Sequence, residues 1–335
     1  MSYHDALNYL AQQTSVMELY DQLGGRVAIC PEWNGKIMTS TCDGLDGDSF
    51  GCINVHAIDT ESFDDFGGED QWSISPLIHS FAVENIQANQ AVLKRPLQVA
   101  DANGVPVELA LSRTISLLSR KKIGLLFGDA VADSLEQEDV SAVGFRTENT
   151  VQSQEQTCVA SRLRGMFNAS PNTVIILAVP PEDFETGQTS VLIDYLGSSP
   201  HCRIRYLSQT MLIRADGRKP CQITVPFPDS PPMIGAFELR FGTLTLWTFD
   251  LPNDSEDHDV LRIYNYGHPH IGEELDWAAY YETNCFSAPQ ELQPDNSLTY
   301  HQCTLHLNAE NHVLGDLVQQ IFGVSLEDVS RKMLR

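Results

Sequence analysis

Short β-favouring runs recur along this chain at intervals of about ten residues, and that spacing constrains its fold more than any other feature. VAIC (27–30), KIMTST (36–41), VPVELAL (105–111), TVIILAV (173–179), TMLIRA (210–215), TLTLWTF (243–249) and LTYHQCTLHL (298–307) are examples. Clusters of Gly, Pro, Asn and Asp separate them, the punctuation of an antiparallel sandwich or barrel. CINVHAI (52–58), ISLLS (115–119) and IGLLF (123–127) read as further strands. No helical pattern alternates with these runs, which argues against a parallel βαβ fold.

Helical spacing is confined to the two ends. Tyr9, Leu10, Val16, Leu19 and Tyr20 supply a rough apolar face over 3–22, stopped by Gly24-Gly25. Near the other end Val313, Leu314, Leu317, Val318, Ile321 and Phe322 recur at helical spacing. Gly323 closes that run, and Ser325 can cap a last short helix. Residues 1–24 are therefore expected to pack as an N-terminal helix on one β-sandwich domain. That domain spans 25–335 and ends in C-terminal helices.

Charge narrows the partners. The chain has 21 Lys and Arg against 45 Asp and Glu, a net charge of -24. Such a balance repels phosphate polyanions, so nucleic acid and anionic membrane surfaces are not expected partners. No run approaches the roughly 18 apolar residues of a membrane span. The first residues lack the basic and apolar regions of a signal peptide. The eight cysteines are scattered, without metal-ligand cadence, and most read as small buried hydrophobes. A reducing cytoplasm suits that pattern. The spacing fixes neither a cofactor, nor a metal, nor the oligomeric state.

Nucleotide-binding loops, zinc-protease helices and the serine-hydrolase elbow are all missing from the sequence. What remains has a carbohydrate-like chemistry. In FDDFGGEDQWSISP (63–76), Gly67-Gly68 permits a tight turn that brings Glu69 and Asp70 inward, and Trp72 offers a flat face for a pyranose ring. Strand alternation puts Arg162 and Arg164 on one face, with Asn168 in the turn that follows. They can pair with surface carboxylates or hold the hydroxyls or acid group of a sugar. IYNYGHPHIGEELD (263–276) gathers Asn265, His268 and His270; a metal reading of the His-x-His pair lacks a specified third ligand. Glu282, in the aromatic run YYETNCF, is the best-placed general base. His79, His268 and His270 are the candidate acids, since ring opening of an aldose needs both groups.

A family resemblance rests on the order of these parts. ELYDQLGGRVAICPEWNGKIMTST, GDSFGCIN, FGGEDQWSISP, RGMFNASPNT, IDYLG, IYNYG, YYET with LQPDNSL, and FGVSLEDV run collinearly from about Leu19. Together they resemble a bacterial family of uncharacterised function in the galactose mutarotase-like superfamily. The stretch Tyr280–Leu307 is similar to the C-terminal end of aldose 1-epimerases, where a strand glutamate acts on the anomeric hydroxyl. The resemblance implies an all-β fold, a large antiparallel β-supersandwich with a sugar site on its concave sheet. It also implies Glu282 as base, with Glu69, Asp70, Trp72, Arg162, Arg164, Asn168 and Asn265 as substrate contacts. The chain departs from the family pattern at Gln71, where an arginine is expected. It departs again at Leu77-Ile78-His79, where Glu-Gly-Gly is expected, and at Tyr266, where an acid is expected. Three expectations follow: a mutarotase or epimerase-like isomerase, a non-catalytic carbohydrate-binding protein, or an acidic protein-interaction subunit.

Overall fold

In the computed structural model most of the described strands assemble into two stacked antiparallel sheets, accompanied by a three-stranded and a two-stranded sheet. Residues 1–54, 67–73, 80–100, 104–178, 191–195, 204–207, 210–217, 221–226, 231–251, 259–266 and 279–334 are described. Among them the large sheet has ten strands, in the order Ile204–Leu207, Thr210–Arg214, Thr173–Ala178, Met233–Glu238, Thr243–Phe249, Ser297–Asn308, Ser141–Ser153, Pro106–Leu117, Gln90–Ala100 and Ala82–Gln87. The small sheet has six, in the order Leu192–Tyr195, Cys221–Pro226, Asp259–Tyr266, Tyr280–Phe286, Arg162–Asn168 and Gln71–Ser73. This is the expected β-supersandwich with N- and C-terminal helices.

Period-two alternation sets the layers. In Thr243–Phe249, Leu244 and Leu246 join an apolar cluster with Val313, Leu317 and Phe322 of the helix Asn311–Phe322. Trp247 and Phe249 join the other cluster, which the large sheet shares with Leu163, Phe167, Ile223 and Tyr281 of the small sheet. The large sheet is thus covered on one face by helices and on the other by the small sheet. The last helix, Leu326–Met333, begins where Ser325 accepts a hydrogen bond from Asp328 N, and Gly323 closes the preceding helix in the left-handed region.

Several local readings change. The N-terminal helix covers only Tyr3–Ala11, and Met17–Tyr20 is a strand paired with Arg26–Cys30. There Leu19 points inside and Tyr20 outside, a two-residue period that the helical reading had absorbed. IGLLF lies in the helix Arg120–Phe127, capped by Ser119, because a short apolar run does not by itself distinguish strand from helix. VPVELAL and most of ISLLS form one continuous strand, Pro106–Leu117. Ala82–Gln87, Gln90–Ala100 and Ser141–Ser153 are strands whose mixed composition hid them. Cys221 is disulfide-bonded, so not every cysteine is a reduced core residue. Among the described residues, no helix is long and apolar enough to cross a membrane.

Candidate functional site

The strand Tyr280–Phe286 sends Tyr281 and Cys285 into the core shared by the sheets. Alternation sends Tyr280, Glu282, Asn284 and Phe286 to the opposite face. Register aligns Glu282 with Met166 and Tyr264, and Asn284 with Arg164 and Arg262. Arg164 is aligned in turn with Gln71. A polar band therefore crosses four adjacent strands of the small sheet.

Glu282 anchors the band. Its Oε1 accepts from Arg164 Nη2 at 2.5 Å, and its Oε2 accepts from Asn284 Nδ2 at 3.3 Å. Asn284 Oδ1 accepts from Arg162 Nε at 2.9 Å and Nη2 at 2.7 Å. Gln71, Arg164, Glu282 and Asn284 are buried and form a floor, while Arg162, Arg262, Tyr264 and Tyr280 are half-buried around it. The guanidinium groups of Arg162 and Arg262 lie 6.0 Å and 5.2 Å from the centre of the Phe286 ring. Cys52 lies close by, and burial pushes its thiol up to about 12, with the Glu282 charge adding and Arg164 opposing. It stays a thiol near neutral pH and offers no nucleophile. The floor combines a carboxylate with guanidinium and amide groups, a set suited to hydroxyl and carboxylate oxygens.

Of the residues singled out in the sequence, the structure brings Glu282, Arg162 and Arg164 together here. It places Glu69, Asp70 and Trp72 in the interior instead. Gly67 and Gly68 adopt φ of 92° and 107°, and a Cβ at Gly67 would sit 1.7 Å from the Cys52 carbonyl oxygen. That turn does bring the acids inward, but into the core. Asp70 is fully buried and accepts from Arg113, from Thr147 Oγ1 at 2.8 Å and from Gln302 Nε2 at 3.3 Å. Glu69 is fully buried against His306. Trp72 is only 2% exposed and donates its indole N–H to Ser161 at 2.7 Å, so its flat face is covered. Asn265 is aligned with Tyr281 on the core side and accepts from Gly217 N at 2.9 Å. Asn168 ends its strand, donates to the Gly51 carbonyl at 2.9 Å and borders a separate cavity. His79, His268 and His270 lie outside the described residues. Asn284, Tyr264 and Arg262 went unrecognised, although counting in twos from Glu282 reaches Asn284 directly.

The sequence profile of a family of unknown function (DUF6786) matches residues 1–83 and 77–333. No curated protein matches the sequence. Among solved structures the chain is similar to a galactose mutarotase-like protein from Lactobacillus casei ATCC 334, at 8% identity and a TM-score of 0.50, covering 88% of this chain and 100% of that one. It is similar to a protein from Synechocystis sp. PCC 6803 at 13% identity and a TM-score of 0.50, covering 89% and 96%. A proposed aldose 1-epimerase from Escherichia coli K12 matches at 9% identity and a TM-score of 0.50, covering 88% and 99%. At these identities the likeness is one of fold.

Proposed function

We propose that this chain, which belongs to the family of unknown function DUF6786, binds a sugar or sugar-derived ligand on the polar face of its small sheet. The observation that carries this reading is the placement of Glu282. It is a carboxylate at the floor of a polar band, held by Arg164 and Asn284 on a sheet whose other face is core. The shared fold with mutarotase-like proteins supports the ligand class. In the catalytic form of the reading, Glu282 takes the anomeric hydroxyl proton while Arg162 and Arg164 hold neighbouring oxygens.

A second reading, a binding protein without turnover, has its own support. Both carboxylate oxygens of Glu282 already accept hydrogen bonds from the chain. Proton abstraction requires the Arg164 contact to loosen when ligand enters. NMR on the full chain with a panel of aldoses and uronic acids separates the two readings. Exchange between α and β anomeric signals above the buffer rate, lost in Glu282→Gln, is the catalytic outcome. Saturation transfer without exchange is the binding outcome. Neither signal across the panel removes the proposal.

A further inference from the structure

We propose that the chain carries a second small-molecule site, a cavity of about 270 Å³ between the two sheets that takes an uncharged polyol. It lies behind the Glu282 face, since Tyr281 and Glu282 point to opposite sides of one strand. The small sheet contributes Phe167 and Tyr281 to its wall, and the large sheet contributes Thr243, Thr245 and Glu238. Phe50 covers another side.

The cavity contains hydroxyls that the chain leaves open. Tyr281 is only 4% exposed, and its phenol makes no hydrogen bond among the described residues. Burial first, then the charges of Glu238 and Glu69, raise that phenol far above its ordinary value, so it enters the cavity as a donor. Thr243 is 8% exposed and its hydroxyl is likewise unpaired among the described residues. Neither hydroxyl oxygen is sealed from the cavity, so each is open to a ligand oxygen.

A third hydroxyl is held in a fixed orientation. His306 Nε2 lies 2.6 Å from Glu69 Oε2, and His306 Nδ1 lies 2.8 Å from Thr245 Oγ1. Ser40 also donates to Glu69 Oε2, at 2.9 Å. The Thr245 hydroxyl is thereby tied to the His306 ring and keeps capacity for one further hydrogen bond with a ligand hydroxyl. Glu69 and His306 act as positioning residues for Thr245.

Flat apolar surfaces flank these groups. Phe50 stacks on His306 at 4.3 Å, and Phe167 stacks on Tyr281 at 5.4 Å. Among the described residues lining the cavity there is no lysine or arginine; Asp48 and Glu238 border it, and so does Met1. The Glu238 oxygens accept from Ser170, Thr173 and the Arg240 amide, so the chain already fixes that carboxylate. Facing hydroxyl donors and acceptors with aromatic walls fit a neutral compound bearing several hydroxyls.

The test is saturation-transfer NMR on the full chain with glycerol, erythritol, myo-inositol and sorbitol, followed by titration of whichever binds. Tyr281→Phe and Thr243→Val each remove one hydroxyl at nearly constant volume, and the melting temperature of each variant reports whether it is folded. The expected result is binding by at least one polyol, weakened about tenfold or more by each of the two variants and unchanged in Glu282→Gln. Absence of binding, equal binding in both hydroxyl variants, or loss only in Glu282→Gln would overturn the proposal. The last outcome would assign the polyol to the other face of the sheet, so this test and that of the Glu282 site fail separately.

Discussion

Two arginine–carboxylate pairs flank one short segment of this protein, and their surroundings differ in an instructive way. Asp70 meets Arg113 in the core, and both side chains are fully buried. One residue later Gln71 is aligned with Arg164, whose guanidinium meets Glu282 on the polar face. Asp70 is supplied with donors by Arg113, Thr147 and Gln302. Arg113 also donates to the Gly35 carbonyl at 3.0 Å and to Asn149 Oδ1 at 2.6 Å. The protein surrounds that pair completely. Around the Glu282 pair, Arg162, Arg262, Tyr264 and Tyr280 are half-buried rather than sealed in the core. A buried ion pair is thus no guide to a ligand site until its remaining surroundings are counted.

The sharpest way to break the comparison is to remove one partner from each pair. Arg113→Leu leaves Asp70 charged in the core and is expected to cost about 3–5 kcal/mol, read by chemical denaturation. Glu282→Gln keeps an uncharged acceptor for Arg164 but leaves its buried charge without a counter-ion, and is expected to cost less, about 2–3 kcal/mol. In the catalytic reading its larger effect is on turnover: anomeric exchange is expected to fall to the buffer rate. Equal stability losses in the two variants would mean the pairs do the same structural work.

Trp72→Phe sharpens the contrast from the other side. The variant loses the hydrogen bond to Ser161 and leaves a small core cavity, so it should cost about 2 kcal/mol while sugar binding stays unchanged. A binding loss in a folded Trp72→Phe protein would return the indole to the ligand site. The smallest effect is expected at the surface. The hydrogen bond to Asp250 chiefly raises the His301 pKa above its ordinary value. Its contribution to stability is therefore complete below the unfolded-state value of about 6.5 and lost as pH rises through the folded-state value. Exposure keeps that contribution below about 1 kcal/mol. Denaturation of His301→Gln and the parent protein from pH 5 to 9 should converge toward the alkaline end; a constant gap would contradict the assignment.

The fold was largely legible because its signals are local. Gly and Pro punctuation marks the strand ends, and the two-residue period in YYETNCF already separates Tyr281 from Glu282. The terminal helices carry their caps in the sequence at Gly323 and Ser325. The site was legible only in part, because register is not local. That Asp70 reaches Arg113 and Thr147, 43 and 77 residues away, depends on pairings between distant strands. The same holds for Arg262 and Asn284, which enter the polar band only once three strands are aligned. A glycine pair and two acids look alike whether the turn leads to a ligand or into the core. His306 was hidden differently: alternation in LTYHQCTLHL places it inside, but nothing near it in sequence announces Glu69 or Thr245.

The most direct test of the central claim is a side-chain arginine NMR titration. The Nε–Hε signals of Arg113, Arg162 and Arg164 would be assigned by single Arg→Lys variants, then followed as D-galactose and D-galacturonic acid are added in turn. The account predicts saturable shifts at Arg162 and Arg164 with one of the two and none at Arg113. No shift at Arg162 or Arg164 with either sugar, or a shift at Arg113 of equal size, would contradict it.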